Sequence, residues 1–242
     1  MKIAVLNGSP RKGGNTEIMA QAFAKAARKN QNEVSILDVA SMNIRGCLGC
    51  KYCWAHKGEC IQKDDMGKVF AALADADMVV FASPIYWFDI TAQLKTVIDR
   101  LYACGSVGFH FHKTALLLDA GADHVFDAAI AQYKAMTSYL KWEDMGIITV
   151  PNMETKGSMA TAANWMLLSN LANRSDFEKQ ITLHSCGRPQ DGCPLFLCSK
   201  TEGGNNVKQN RRIPCPCPAH SQRLDPVLGK LDGLPDHRIP AV

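Results

Sequence analysis

Nine residues near the start of the chain, Gly8 to Thr16 (GSPRKGGNT), combine three glycines and two hydroxyls with Arg11 and Lys12. They follow an aliphatic run, Ile3 to Asn7, that suits a buried parallel strand. They precede Ile18, Met19, Ala22, Phe23 and Ala26 at helical spacing. A strand that ends in such a turn and then starts a helix presents unpaired backbone N–H groups and the positive end of the helix dipole, which together bind a phosphate. Ser9, Asn15 and Thr16 are the candidate hydrogen-bond partners, and Arg11 supplies charge for one terminal phosphate. A nucleoside-triphosphate loop would need Lys-Ser/Thr after its second glycine, but Gly14-Asn15 follow Gly13. The dinucleotide pattern Gly-x-Gly-x-x-Gly is broken by Ser9-Pro10, and Asp38, where a ribose-binding acid would sit, is weak support for it. The alternative is a plain connection with no ligand, in which this many small polar residues would be wasteful.

A second set is Cys47, Cys50, Cys53 and Cys60, spaced C-x2-C-x2-C-x6-C and followed by Lys63-Asp64-Asp65. Four thiolates this close in sequence can wrap one metal centre, and the tight spacing suits a [4Fe–4S] run of the ferredoxin type. Gly46, Gly49 and Gly58 would let the backbone turn around it. Four-thiolate zinc is chemically possible but usually pairs two C-x2-C hooks across a longer gap. A metal-free loop of packing or redox cysteines is the third reading. Cys104, at the end of a helical pattern, reads as a buried small hydrophobe.

Both sets need a scaffold, and the remaining periodicity supplies one. Glu33 to Val39, Met78 to Ser83, Lys113 to Asp119 and Gly146 to Val150 read as further strands. Thr91 to Tyr102 and Val125 to Leu140 read as helices with one apolar face. Strands alternating with helices predict right-handed crossovers and a five-stranded parallel sheet, order 2-1-3-4-5, with helices on both faces. In such a sheet a ligand lies outside the carboxyl ends of the strands, where strands one and three diverge. The loop after strand three, Ser83-Pro84-Ile85-Tyr86-Trp87-Phe88, puts aromatic and aliphatic surface beside backbone amides, as a flat heteroaromatic ring requires. Its aromatics could instead cap the core. The loop after strand four, Asp119-Ala120-Gly121-Ala122, is small enough for close backbone approach.

NGSPRKGGNT, SPIYWF and QLKTVIDRLY together resemble the NAD(P)H-dependent FMN reductase group of flavodoxin-like proteins, over about residues 1–170. The resemblance implies FMN, with Ser9, Arg11, Gly14, Asn15 and Thr16 around its phosphate. It implies Pro84, Ile85, Tyr86 and Trp87 along the isoalloxazine ring, and Ala120 and Gly121 at the far edge. Within that group the cysteine spacing resembles the iron–sulfur flavoproteins, which implies Cys47, Cys50, Cys53 and Cys60 as ligands of a [4Fe–4S] cluster near FMN. A homo-oligomer, dimer or tetramer, is implied by the resemblance alone. The implied activity is hydride transfer from NAD(P)H to FMN and onward to a small-molecule or protein electron acceptor. A non-enzymatic electron carrier reduced by a partner is the competing class. No catalytic acid or base is required, and His110 and His112 read as exposed loop residues.

Hydrophobic residues make up 47% of the chain, enough for a globular core. The net charge of +4 is mild, and no basic stripe is interleaved with aromatics, which argues against nucleic-acid binding. No membrane-length apolar run and no signal pattern appear, so the expected location is cytoplasmic, where ten cysteines read as thiols or metal ligands. The expected organisation is a flavodoxin-like domain over 1–172, with a cysteine-rich insertion at 44–66. Residues 173–242, rich in proline and without periodicity, are expected to be irregular or disordered.

Overall fold

The computed structural model describes residues 1–160 and the backbone of Ile181–Thr182. In chain order the elements are β1 (Lys2–Asn7), α1 (Asn15–Lys29), β2 (Glu33–Asp38), α2 (Tyr52–Ala55), α3 (Met66–Ala74) and β3 (Met78–Pro84). After these come α4 (Ala92–Arg100), α5 (Tyr102–Gly105), β4 (Lys113–Asp119), α6 (Asp127–Leu140), β5 (Glu143–Val150) and β6 (Ile181–Thr182). All pairings are parallel, in the order β2-β1-β3-β4-β5-β6. The first five strands have the expected order. The two-residue β6, paired with Ile148 and Thr149, extends the sheet from a stretch where sequence periodicity gave no strand. The remainder of the 173–242 expectation lies outside the described residues.

β3 is buried at all seven positions and sits between β1 and β4, which explains its unbroken apolar run. Alternate residues of each strand feed two cores. On one face Ile3, Val5, Val80 and Leu117 pack under Met19, Phe23 and Ala27 of α1. On the other, Ala4, Leu6, Phe81 and Leu116 pack against Val69 and Leu73 of α3, Leu94 and Val97 of α4, and Tyr133 of α6. α3 went unnoticed in the sequence because the cysteines dominate that stretch. Its buried Met66, Val69 and Leu73 nevertheless carry a helical spacing, and it completes the crossover from β2 to β3. β5 starts three residues earlier than its apolar run, at exposed Glu143 and Asp144, which carry no hydrophobic signal.

The carboxyl ends of the strands are tied together. Gly8 N–H donates to Ala82 O at 2.8 Å, Ile85 N–H to Asp119 O at 2.8 Å, Ala120 N–H to Val150 O at 3.1 Å and Met153 N–H to Ala120 O at 2.8 Å. The loops after β1, β3, β4 and β5 are therefore joined into one rim.

Candidate functional site

That rim borders an open cleft of about 360 Å³. All eleven residues assigned to a cofactor from the sequence line it: Ser9, Arg11, Gly14, Asn15 and Thr16 from β1–α1, Pro84, Ile85, Tyr86 and Trp87 from β3, and Ala120 and Gly121 from β4. Asp119, Met153, Glu154 and Lys156 line it as well. The last three follow β5. The rule that ligands lie at the carboxyl ends of strands would have found them, had it been applied to the fifth strand too.

The phosphate loop is shaped by short-range hydrogen bonds. Ser9 N–H donates to Asn7 Oδ1 at 3.1 Å, Arg11 N–H to Ser9 Oγ at 3.3 Å and Gly13 N–H to Glu17 Oε2 at 2.7 Å. Gly13 has φ +63°, in the left-handed region. α1 opens without a side-chain cap, so its first-turn N–H groups are left for solvent or an anion. Two side chains expected to reach a phosphate have other duties. Asn15 donates both Nδ2 hydrogens, to Met153 O at 2.8 Å and Thr155 O at 2.9 Å, and its Oδ1 accepts from Met159 N–H at 3.1 Å. Thr16 Oγ1 donates to Asp119 Oδ1. Their side chains fix the loops after β5 and β4, and what they have left for an anion is backbone N–H. The Ser9 hydroxyl proton, Arg11 and Lys156 are side-chain donors that remain beside the start of α1, with the Tyr86 hydroxyl and Trp87 indole N–H on the aromatic side of the cleft. Asp38 accepts from Asn7 Nδ2 at 3.3 Å.

The aromatic loop is a tight turn. Tyr86 N–H donates to Asp89 O at 2.8 Å and Asp89 N–H returns to Tyr86 O at 3.3 Å. Trp87 and Phe88 occupy its two central positions with φ +49° and +70°. Such a turn favours Asn-Gly, and bulky side chains there are strained. Trp87 is 93% exposed, with Tyr86 and Phe88 also at the surface, so these aromatics do not cap the core. Strain of this kind is retained where the surroundings impose it and concentrates at ligand sites.

Asp119 ends β4 inside the cleft, 5% exposed. Burial pushes its carboxyl up to about 6, against the Thr16 hydrogen bond and the Arg11 charge, which pull it down. A carboxyl held above its unfolded value weakens the fold once ionised: the penalty is absent below about pH 4 and complete above about pH 6. Asp119→Asn removes it. Between pH 4 and pH 8 the apoprotein variant should lose less stability than the wild type, by about 3 kcal/mol, measured by urea unfolding at both pH values. Parallel pH profiles for the two proteins would contradict this assignment.

The four cysteines, Cys47, Cys50, Cys53 and Cys60, line a single separate pocket with Arg100, Tyr102 and Ala103. Cys53 is buried, Cys60 half-buried, and Cys47 and Cys50 are exposed. Burial raises the Cys53 thiol, and the charges of Cys60 and Cys47 raise it further, as expected of thiols facing one another. Among the described residues, no group of three or more His, Cys, Asp or Glu stands in ready metal-holding geometry. The donor set nevertheless fits a soft metal centre: four cysteine sulfurs line one pocket, and no carboxylate or imidazole is among the lining residues. Gly49 and Gly58 turn the loop with φ +64° and +83°, whereas Gly46 does not use the left-handed region. The base of the loop is closed by Asp64 and Asp65. Arg45 N–H donates to Asp64 Oδ2 at 3.1 Å and Asn43 N–H to Asp65 Oδ2 at 2.9 Å. Cys104 is raised to about 11 by burial, so it stays a thiol at neutral pH. His110 and His112 are exposed and precede β4, at the opposite end of the sheet from the cleft.

Residues 1–158 match the family model described as NADPH-dependent FMN reductase. An iron-sulfur flavoprotein of Archaeoglobus fulgidus is 36% identical over 140 residues, covering 58% of this chain and 60% of the relative. A second from the same organism is 37% identical over 100 residues, 41% of this chain and 48% of the relative. The chain thus spans about half to three fifths of the length of these two relatives. Among solved structures, an NAD(P)H:quinone oxidoreductase from Methanothermobacter marburgensis superposes with a TM-score of 0.58 at 18% identity, over 73% of this chain and 99% of that one. An FMN-dependent NADH-azoreductase from Bacillus anthracis, solved with FMN, gives 0.54 at 13% identity, over 71% and 98%. At these identities the likeness shows a shared fold.

Proposed function

Because the chain belongs to the NADPH-dependent FMN reductase family, we propose that it is an FMN-dependent NAD(P)H oxidoreductase working at the rim cleft. The observation that carries this reading is the convergence of the phosphate loop, the aromatic turn and the Ala120-Gly121 loop on one cleft. When bound, FMN accepts hydride from NAD(P)H and releases the electrons to an acceptor. The chain's own residues bind and orient. The uncapped start of α1, the Ser9 hydroxyl, Arg11 and Lys156 hold the phosphate. Pro84, Ile85, Tyr86 and Trp87 border the ring, and Ala120 and Gly121 let backbone approach its edge. No side chain needs to move a proton for hydride transfer, and none is assigned that task.

The cysteine pocket would hold a [4Fe–4S] cluster through Cys47, Cys50, Cys53 and Cys60, which favours one-electron delivery to the acceptor. The naming of the A. fulgidus relatives as iron-sulfur flavoproteins supports this reading, as does the four-sulfur lining. Location in the cytoplasm and assembly as a dimer or tetramer belong to the same proposal, as does a small-molecule or protein acceptor. Among the described residues, no helix is long and apolar enough to cross a membrane.

Stopped-flow mixing of FMN-loaded protein with NADPH, and separately with NADH, tests the enzymatic reading. Prompt bleaching of the flavin without any added protein is expected. Bleaching only when a partner reductase is supplied would make the chain an electron carrier instead.

A further inference from the structure

Arg100 is the most deeply placed cation at the cysteine pocket. It ends α4 with its side chain 2% exposed, and it is paired with Asp64, also 2% exposed. Three of its contacts are fixed: Nη1 donates to Asp64 Oδ2 at 3.0 Å and to Arg45 O at 2.8 Å, and Nη2 donates to Asp64 Oδ1 at 3.2 Å. The two-point pairing sets the plane of the guanidinium and leaves it no freedom to turn. Its Nε–H is buried and has no hydrogen-bond partner among the described residues. Burying a charged donor unsatisfied is costly, and such groups are rare unless something else meets them.

The pocket identifies what meets it. Arg100 lines the same wall as Cys47, Cys50, Cys53 and Cys60. Of these, Cys60 is the one nearest in the chain to Asp64, the carboxylate that holds the guanidinium. Asp64 keeps the pair charged: burial alone would raise its carboxyl, but hydrogen bonds from Arg100 and from the Arg45 and Met66 backbones carry it below the usual carboxylate range. A fixed cation whose buried Nε–H has no partner among the described residues therefore stands in the wall of the four-cysteine pocket.

We propose that Arg100 is a positioning and tuning residue for the metal centre, its spare Nε–H donating to the Cys60 sulfur while Asp64 and the Arg45 carbonyl hold the guanidinium in place. This rests on the four-cysteine reading above. A donor and a positive charge beside a cluster sulfur stabilise the more negative, reduced form, so Arg100 raises the cluster's reduction potential. It also ties the two ends of the cysteine loop together, because Arg45 and Asp64 flank the loop and both meet this one side chain. The α4 position makes the same residue part of the helix packed beside the phosphate loop: Leu94, two turns earlier on α4, lies against Gly8.

The test is a redox titration of anaerobically purified full chain, reading the reduced cluster by electron paramagnetic resonance, with iron and sulfide content and FMN absorbance recorded in parallel. Two variants are used. Arg100→Met removes both charge and donor. Arg100→Lys keeps a cation for Asp64 but has no Nε–H, and it decides the question if the methionine variant fails to fold. At the potential that half-reduces the wild-type cluster, the reduced-to-oxidised ratio should fall roughly tenfold in Arg100→Met, the size of one charge-assisted hydrogen bond. A smaller fall in the same direction is expected for Arg100→Lys, with FMN content unchanged in both. Iron-loaded variants that keep the wild-type ratio would overturn the proposal and leave Arg100 a purely structural ion pair. A wild-type protein that takes up no iron and sulfide would instead refute the four-cysteine reading, and this proposal with it.

Discussion

Replacing Gly8 with alanine is expected to weaken FMN binding by about ten- to a hundredfold and to destabilise the apoprotein by about 1–3 kcal/mol. The reason is local and steric. A Cβ on Gly8 would stand 2.7 Å from Leu94 Cβ and 2.9 Å from Thr91 Oγ1, neither of which can retreat. Thr91 is fully buried and caps α4 by accepting from Leu94 N–H, while its hydroxyl donates to Gly8 O at 2.7 Å. Thr91 N–H in turn donates to Ser83 Oγ at 3.0 Å, at the end of β3. One atom at Gly8 thus pushes the phosphate loop away from the strand that leads into the aromatic turn. The two halves of the cleft separate, and both must contact the same ligand. Gly46→Ala is the control: nothing lies within 4 Å of a Cβ there, and it should change stability by less than about 0.5 kcal/mol. FMN fluorescence titration and urea unfolding of both variants check the pair. Equal behaviour of the two would show that the Gly8 contact does not matter.

Cys53→Ser is expected to lower bound iron and sulfide to background while FMN binding stays within about twofold of wild type. Cys53 is the most buried of the four, and its carbonyl also accepts from Gly58 N–H at 2.9 Å and from His56 N–H at 3.3 Å, so its place in the loop is set by the backbone. A serine there keeps the turn and withdraws one thiolate, which a four-sulfur centre cannot replace from this pocket. Cys104→Ser should leave iron content unchanged, since that thiol is held protonated by burial. Zinc in place of iron and sulfide in the wild type would assign the site to a four-thiolate zinc centre. Full iron content in Cys53→Ser would remove Cys53 from the ligand set.

The sheet order and the cleft lining were legible in the sequence because both follow from short-range signals: apolar runs for the strands, and glycine, hydroxyl and aromatic loops at their ends. Functions that depend on distant partners were not. Asn15 and Thr16 look like phosphate ligands from their neighbours in sequence, but their side chains spend their donors on Met153, Thr155 and Asp119, more than a hundred residues away. Asp119 appears in sequence only as the end of a strand. Its raised carboxyl is a consequence of burial that no local pattern announces. Arg100 likewise reads as a basic residue in the last turn of an amphipathic helix, where a charge normally faces water. Its burial against Asp64 depends on where the cysteine loop closes. Strain at Trp87 and Phe88 was equally hidden, since an aromatic pair gives no sign of a turn that favours Asn-Gly.

On the proposed function, the rim cleft holds FMN by its phosphate as well as its ring. Titrating apoprotein with FMN and, separately, with riboflavin while following flavin fluorescence tests it directly. Saturation at one FMN per chain is expected, with riboflavin binding at least about tenfold weaker, because the phosphate's contacts with the start of α1, Ser9, Arg11 and Lys156 would be missing. Riboflavin binding as tightly as FMN, or neither binding at all, would contradict it.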